Sequence, residues 1–126
     1  MYDCMKQPLK STCDVENYLV SVTKYLGLKA VGRPYIVKFN GVHPDDDGIT
    51  GSLVLATSLL SIHTYPKEHA CYVDLFACSD YDQADLLEFT KGWFGGKVCH
   101  MNRVVRFPYK NLVNYHTNQG LSESSD

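Results

Sequence analysis

The sequence lacks the features that would assign the protein to a membrane, to nucleic acid or to the cell exterior. No apolar run is long enough to span a bilayer, and the first residues contain no hydrophobic stretch typical of a secretory signal. The 12 basic residues are outnumbered by 14 acidic ones and form neither a basic stripe nor an arginine cluster, which disfavours a nucleic-acid-binding surface. We therefore expect a cytoplasmic protein with neither nucleic acid nor a membrane as partner.

Cysteine is present, but not in the spacing that binds metal. The five cysteines are an odd number, and no C-x-x-C pair occurs. Cys99 and His100 are adjacent in a strand-like segment, where neighbouring side chains point to opposite faces. We expect free thiols in a reducing compartment, most of them buried, and no metal site.

The overall composition is that of a globular protein. Hydrophobic residues make up 44% of the chain and charged residues 21%, which is inconsistent with intrinsic disorder. A chain of 126 residues fits a single domain, 1–126, with one core. The polar tail, about 109–126, is expected to be loosely ordered.

Two segments carry helical signals. The first is marked by apolar residues at three- and four-residue steps: Val15, Tyr18, Leu19, Val22 and Leu26. Ser11 or Thr12 can cap its start, and Gly27 suits its end. A second helix is predicted from Asp82 to Phe94, where two glycines stop it.

The rest of the ordered chain is strand-like. Runs rich in apolar and β-branched residues lie at Tyr35–Phe39, Gly51–Ala56, Leu60–Tyr65, Cys71–Ala77 and Lys97–Phe107. The order predicts an α+β fold, a two-layer sandwich with an antiparallel β-sheet and two helices on one face. Because such a sheet leaves its other face uncovered, we expect a homodimer.

Reactive side chains are concentrated between Thr50 and Cys78. Ser58 and His63 are five positions apart, so on an unbroken strand they would face opposite sides. If they act together, the chain must turn or bulge between Thr57 and Leu60. His63 and Cys78 would then lie on neighbouring strands, close enough to converge on one pocket.

Three short motifs in this segment match one known family. They are Gly48-Ile-Thr-Gly51, Ser61-Ile-His-Thr-Tyr-Pro66 and Val73-Asp-Leu-Phe-Ala-Cys78. In order and spacing they closely resemble the bacterial class of S-adenosylmethionine decarboxylases, which are pyruvoyl-dependent enzymes made as proenzymes. The resemblance is concentrated in about a quarter of the chain, and motif matches need their structural context.

The resemblance implies a self-processing reaction. The hydroxyl of Ser58 would attack the carbonyl of Thr57, the chain would be cut between 57 and 58, and Ser58 would become a covalent pyruvoyl group. Thr50 and His63 match the positions that assist this cleavage, and Cys78 matches the residue that returns a proton to the substrate. Neither a metal nor a dissociable cofactor is implied.

The implied substrate is a small amino acid, with S-adenosylmethionine favoured, and its decarboxylation would supply aminopropyl groups for spermidine synthesis. The sequence departs from the family at Thr57, where Glu is usual, at Leu59, where His is usual, and at Lys67, where Glu is usual. The loop 40–48 contains no Phe, Tyr or Trp, although family members hold adenine with an aromatic residue there. The reactive centre therefore matches better than the recognition elements.

Three alternatives remain open from the sequence. The same fold and chemistry could act on another amino acid, such as ornithine or arginine. The chain could be an unprocessed, non-catalytic homologue that acts as a regulatory or binding subunit. It could also be an α+β binding module unrelated to the family, in which Ser58, His63 and Cys78 are structural.

Overall fold

A computed structural model describes residues 1–41, 43, 47–78 and 80–101. In chain order its elements are α1 (Lys6–Lys10), α2 (Thr12–Tyr25), β1 (Tyr35–Phe39), β2 (Gly48–Val54), β3 (Leu59–Tyr65), a 3-10 turn (Pro66–Glu68), β4 (Ala70–Phe76) and α3 (Gln83–Phe94). The predicted tail and residues 102–107 of the predicted last strand lie outside the described residues. In the described part of that strand, Val98 forms only an isolated bridge, to Tyr2.

The four strands form one antiparallel sheet in the order β1-β2-β3-β4, and the predicted α+β class is confirmed. Each strand pairs with the next along the chain, since short connections favour neighbouring antiparallel strands. Strand β2 begins at Gly48, three residues earlier than predicted. A Cβ at this position would collide with the carbonyl oxygen of Thr64, so here a glycine permits close strand approach instead of ending the strand.

Helix α2 forms as its periodicity predicts. The Ser11 side chain accepts a hydrogen bond from the backbone N–H of Asp14 at 3.1 Å, which satisfies one of the free amides of the first turn. The side chains on the inner stripe are fully buried: Val15, Tyr18, Leu19 and Val22. Within the described residues, no helix is long and apolar enough to cross a membrane.

Within the described residues, a short helix that the sequence does not predict, α1, precedes the two predicted helices α2 and α3. Its five residues include Pro8, and so short an element shows no usable periodicity. Tertiary contacts hold it in place. Leu9 is fully buried, and the Thr64 hydroxyl donates to the Leu9 carbonyl oxygen at 2.7 Å while accepting from the Ile49 amide at 3.0 Å.

Helix α3 packs against α2. Asp82 caps its start by accepting from the amides of Ala84 and Asp85, and Gly95 ends it with a positive φ of 69°, which glycine adopts without strain. The buried hydroxyls of Tyr18 and Thr90 lie 2.6 Å apart. Burial raises the pKa of Tyr18 above its ordinary value, so its phenol is neutral and available for this hydrogen bond.

The sheet has one covered and one open face. On the covered face the side chains of Ile49, Leu53, Leu60 and Ile62 are buried beneath the helices. On the open face several large apolar or aromatic side chains are exposed: Tyr35, Val37, Val54, Leu59, Tyr72 and Phe76. The core therefore lies between the sheet and the helices, and the opposite surface exposes apolar and aromatic side chains among polar ones such as Thr50 and His63.

All five cysteines lie in the described part of the chain, and none of them forms a disulfide. Cys4 and Cys71 are buried, whereas Cys13, Cys78 and Cys99 are exposed. The expectation that most cysteines are buried is therefore wrong. Cys13 lies on the exposed side of α2, Cys78 follows β4 and Cys99 follows α3. No group of three His, Cys, Asp or Glu residues that could hold a metal ion occurs in the described residues.

Candidate active site

Ser58 lies at the hairpin between β2 and β3. The Leu55 amide donates to the Ser58 carbonyl oxygen at 2.9 Å, which leaves Ala56 and Thr57 as the two residues of the tight turn. Both turn residues are exposed, and Ser58 is half-buried. The peptide bond between Thr57 and Ser58 therefore lies at the accessible tip of the hairpin.

The chain that leaves β4 returns to this tip. Because Leu59 pairs with Phe76, the residues after Phe76 lie beside the hairpin. The Cys78 backbone amide donates to Ser58 Oγ at 3.3 Å, and the Cys78 side chain is exposed. Ser58 and Cys78, which are predicted to act at one site, are thus neighbours across the end of the sheet.

Thr50 and His63 form a second pair on the open face of the sheet. They are directly opposite each other in the register of β2 and β3, where cross-strand side chains touch. Thr50 Oγ1 and His63 Nδ1 lie 2.9 Å apart, and both residues are half-buried. Among the described residues the other ring nitrogen of His63 has no hydrogen-bond partner, so it is available to a further group.

The two pairs do not meet within one chain. The turn lies before Ser58, and the ladder is regular from Val54↔Leu59 to Ile49↔Thr64, so there is no bulge between Ser58 and His63. Five residues of strand separate them by about 16 Å at ~3.3 Å per residue. His63 lies opposite Tyr72, six positions before Cys78. The prediction that His63 and Cys78 of one chain converge on a single pocket is therefore wrong.

An aromatic cluster, which the sequence analysis does not predict, lies on the strands beside His63: Tyr72 is opposite His63 in the register of β3 and β4, and Tyr65 and Tyr2 are its neighbours. The Tyr72 ring lies 5.4 Å from the Tyr65 ring and 6.2 Å from the Tyr2 ring. The hydroxyls of Tyr2 and Tyr72 are 3.5 Å apart, and this hydrogen bond, with partial burial, raises the pKa of Tyr72 to about 12. The sequence alone gives no sign that Tyr72 belongs near the site. The strand register does, because it places Tyr72 opposite His63.

The geometry of the hairpin is compatible with cleavage of the peptide bond between Thr57 and Ser58. The Ser58 hydroxyl accepts a hydrogen bond from the Cys78 amide at 3.3 Å, which restrains the orientation of the Ser58 side chain. The Ser58 amide is held only by a long contact of 3.5 Å to the Leu55 carbonyl oxygen. Both turn residues are exposed, and the Ala56 amide donates to the Lys29 carbonyl oxygen at 2.9 Å, which anchors the side of the turn that precedes the bond.

Comparison with known proteins gives a consistent family. A family model described as S-adenosylmethionine decarboxylase matches residues 1–107. The S-adenosylmethionine decarboxylase proenzyme of Clostridium botulinum (strain Loch Maree) is 28% identical over 108 residues, which cover 84% of this chain and 87% of that protein. The proenzyme of the same name from Methanococcus aeolicus is 32% identical over 81 residues, covering 64% of each chain. That from Symbiobacterium thermophilum is 44% identical over 52 residues, covering 40% of this chain and 39% of that protein.

The fold comparison agrees. The crystal structure of the adenosylmethionine decarboxylase from Aquifex aeolicus matches with a TM-score of 0.64 and 22% identity, over 78% of this chain and 77% of that chain. At that identity the likeness shows the fold. The match spans less than two thirds of the Symbiobacterium and Methanococcus relatives, 39% and 64% of their lengths. The family model, however, covers residues 1–107 of 126, and the chain therefore belongs to the S-adenosylmethionine decarboxylase family.

Proposed function

We propose that the chain is a self-processing, pyruvoyl-dependent decarboxylase of S-adenosylmethionine, whose product serves as the aminopropyl donor for spermidine synthesis. The observation that carries the proposal is the position of Ser58, at an exposed hairpin tip with its hydroxyl held by the amide of Cys78 at 3.3 Å. The family membership supplies the substrate class.

Processing begins with the Ser58 hydroxyl. Its oxygen attacks the carbonyl carbon of Thr57, the carbon–nitrogen bond breaks, and the nitrogen takes up the hydroxyl proton, which converts the amide into an ester. Removal of the α-proton of residue 58 then expels the Thr57 carboxylate. Water replaces the nitrogen at position 58 as ammonia, which leaves a ketone. The Cys78 amide assists by holding the attacking oxygen in place, since a positioned nucleophile reacts much faster.

The pyruvoyl group would supply an electron sink for loss of carbon dioxide from an α-amino acid. The thiol of Cys78 is well placed to return a proton to the substrate, because its backbone already contacts position 58 and its side chain is exposed. A side chain that donates a proton must lie within hydrogen-bond reach of the reacting atom. Neither role requires a metal.

Proton transfer during processing needs a base, and we assign it to the Thr50–His63 pair of a second copy of the chain. His63 of the same chain is too far along β3 from Ser58, by about 16 Å at ~3.3 Å per residue. An imidazole exchanges protons near neutral pH, and the Thr50 hydroxyl at 2.9 Å orients it. In a two-fold dimer whose axis is perpendicular to the strands, the open faces would pack with their strands reversed, and the Thr50–His63 pair of one sheet would lie over the hairpin end of the other.

The open sheet face supports this dimer. Among the described residues it carries six exposed large apolar or aromatic side chains in addition to Thr50 and His63, and an exposed cluster of such side chains is typical of a protein–protein interaction surface. A second copy is the occupant that both covers the patch and completes the site.

The proposal is tested by measuring carbon dioxide release from carboxyl-labelled S-adenosylmethionine. The wild type should release label, Ser58→Ala should release none, and Ser21→Ala on α2 should behave as the wild type. Cleaved wild-type protein that releases no label from this substrate would contradict the substrate assignment.

The same assay separates the alternatives. Cleaved protein that releases carbon dioxide from ornithine or arginine would identify another amino-acid substrate, which the departures at Thr57 and Leu59 would accommodate. A chain that stays intact and inactive would identify a non-catalytic homologue. The hypothesis of a binding module unrelated to the family is wrong, because the family model matches residues 1–107.

A further inference from the structure

Four lysines surround a cavity of about 250 Å³ at the end of the sheet opposite Ser58. They come from three separate elements: Lys6 and Lys10 on α1, Lys38 on β1 and Lys67 in the 3-10 turn. We propose that this cavity binds a small multivalent oxyanion of the phosphate class. This inference is independent of the proposed function, because it concerns neither Ser58 nor the open sheet face.

The backbone fixes the convergence of these lysines. Lys6 and Lys10 are four residues apart in a helix, so their side chains share one face. Lys38 pairs with Ile49 in the register of β1 and β2, which places it on the covered side of the sheet beside α1. Lys67 follows the buried Pro66 at the end of β3, where α1 also packs.

The charge around the cavity is not balanced by the described residues. Asp47 is the one carboxylate among the described residues that line it, and its Oδ1 already accepts from the Gly41 amide at 2.9 Å. No hydrogen bond or ion pair involves any of the four lysine side chains within the described residues. Like charges around one cavity repel each other, and a bound multivalent anion removes that repulsion.

Lysine is suited to such a ligand. Its ammonium group is a compact charge with three donors, which serves phosphate groups well as a point charge. The lining of the cavity includes the buried apolar residues Ile49 and Pro66, and the lysine stems can lie along them while their ammonium groups remain at the rim. Among the described residues that line the cavity, four ammonium groups and one engaged carboxylate favour a multivalent anion over a monocarboxylate.

Binding would also strengthen the attachment of α1. Lys6 and Lys10 belong to α1, whereas Lys38 and Lys67 belong to the sheet and its connection, so an anion between them bridges the two layers. The Thr64 hydroxyl already joins the same parts through Leu9 and Ile49. A ligand that binds only the folded state raises its stability, which gives a second readout.

The test uses pyrophosphate as the probe and the full chain, with calorimetry at constant ionic strength. We expect saturable binding of one pyrophosphate per chain to the wild type and an increase in Tm. The double variant Lys38→Gln/Lys67→Gln should bind at least tenfold more weakly and lose the Tm increase. The matched control Lys24→Gln/Lys29→Gln removes the same charge from two exposed lysines elsewhere and should bind within twofold of the wild type.

Two results would overturn the proposal: no saturable binding to the wild type, or equal weakening in both double variants, which would show a general charge effect. If the Lys38→Gln/Lys67→Gln variant has the same Tm as the wild type when no ligand is present, misfolding is excluded as the cause of its weaker binding. The Ser58→Ala chain should bind pyrophosphate as tightly as the wild type. The binding measurement therefore remains valid even if the chain proves to have no decarboxylase activity.

Discussion

Ser58 and His63 depend on single polar contacts for their orientation. Ser58 Oγ is held by the backbone amide of Cys78, and His63 Nδ1 by the hydroxyl of Thr50. The first contact is made by the main chain and the second by a side chain. Substitutions should therefore affect these two residues differently.

Removing the imidazole should slow processing. In His63→Ala we expect cleavage to slow by roughly 100-fold or more, the lower end of what a positioned acid or base contributes. Thr50→Val should slow it by a smaller factor, whereas Thr50→Ser, which keeps the hydroxyl, should cleave nearly normally. The measurement is the rate at which fragments appear on a gel, and equal rates for Thr50→Val and Thr50→Ser would contradict the role of the hydroxyl.

Cys78→Ala should separate processing from turnover. Alanine keeps the backbone amide that holds Ser58 Oγ, so cleavage should proceed. Loss of the thiol should reduce kcat by roughly 100-fold or more. The exposed Cys13 on α2 provides the control, because Cys13→Ala should change neither rate. A Cys78→Ala enzyme with wild-type kcat would remove the thiol from the mechanism.

The elements differ in how well the sequence predicts them. Helix α2 and strand β1 follow from periodicity, because each buries a regular stripe or pairs along its length. The start of β2 does not, because Gly48 is a turn residue by composition and a close-packing residue in the fold. Helix α1 is too short to have a pattern, and contacts with residues far along the chain, such as Thr64, determine its position.

Thr64→Val tests what holds α1 in place. The substitution keeps the shape but leaves the Leu9 carbonyl and the Ile49 amide without their buried partner. Unsatisfied buried groups cost about 1–3 kcal/mol each, so we expect the free energy of unfolding in urea to fall by about 2 kcal/mol or more. Thr64→Ser retains the hydroxyl and should lose less than half as much. Equal losses in the two variants would assign the effect to packing instead.

At the scale of the whole molecule, the sequence supplies candidates for the site residues but does not predict how they are arranged. The fold class follows from the order of helices and strands, yet a regular β3 ladder separates Ser58 from His63. Spacing alone leaves the arrangement open, because a turn or bulge after Ser58 would have changed the face to which His63 points. The sequence does not reveal the lysine-lined cavity either. Its lining residues are spread between positions 6 and 67, and only the fold brings them together.

Mixed dimers test whether the site is shared between two copies. Neither Ser58→Ala nor His63→Ala should cleave normally alone. When the two are co-expressed, the His63→Ala chain keeps Ser58 and Cys78 while its partner supplies Thr50 and His63, so cleavage of the His63→Ala chain should return. The double variant Ser58→Ala/His63→Ala should not rescue it. Absence of rescue in dimers whose mixed composition is verified would contradict a shared site.

The most direct test of the account is the intact mass of the purified chain. We predict two fragments, one that ends at Thr57 and one whose first residue, position 58, has lost its amino group and cannot be sequenced from that end. A single species of 14.2 kDa after prolonged incubation, with serine still at position 58, would contradict the self-processing enzyme proposed here.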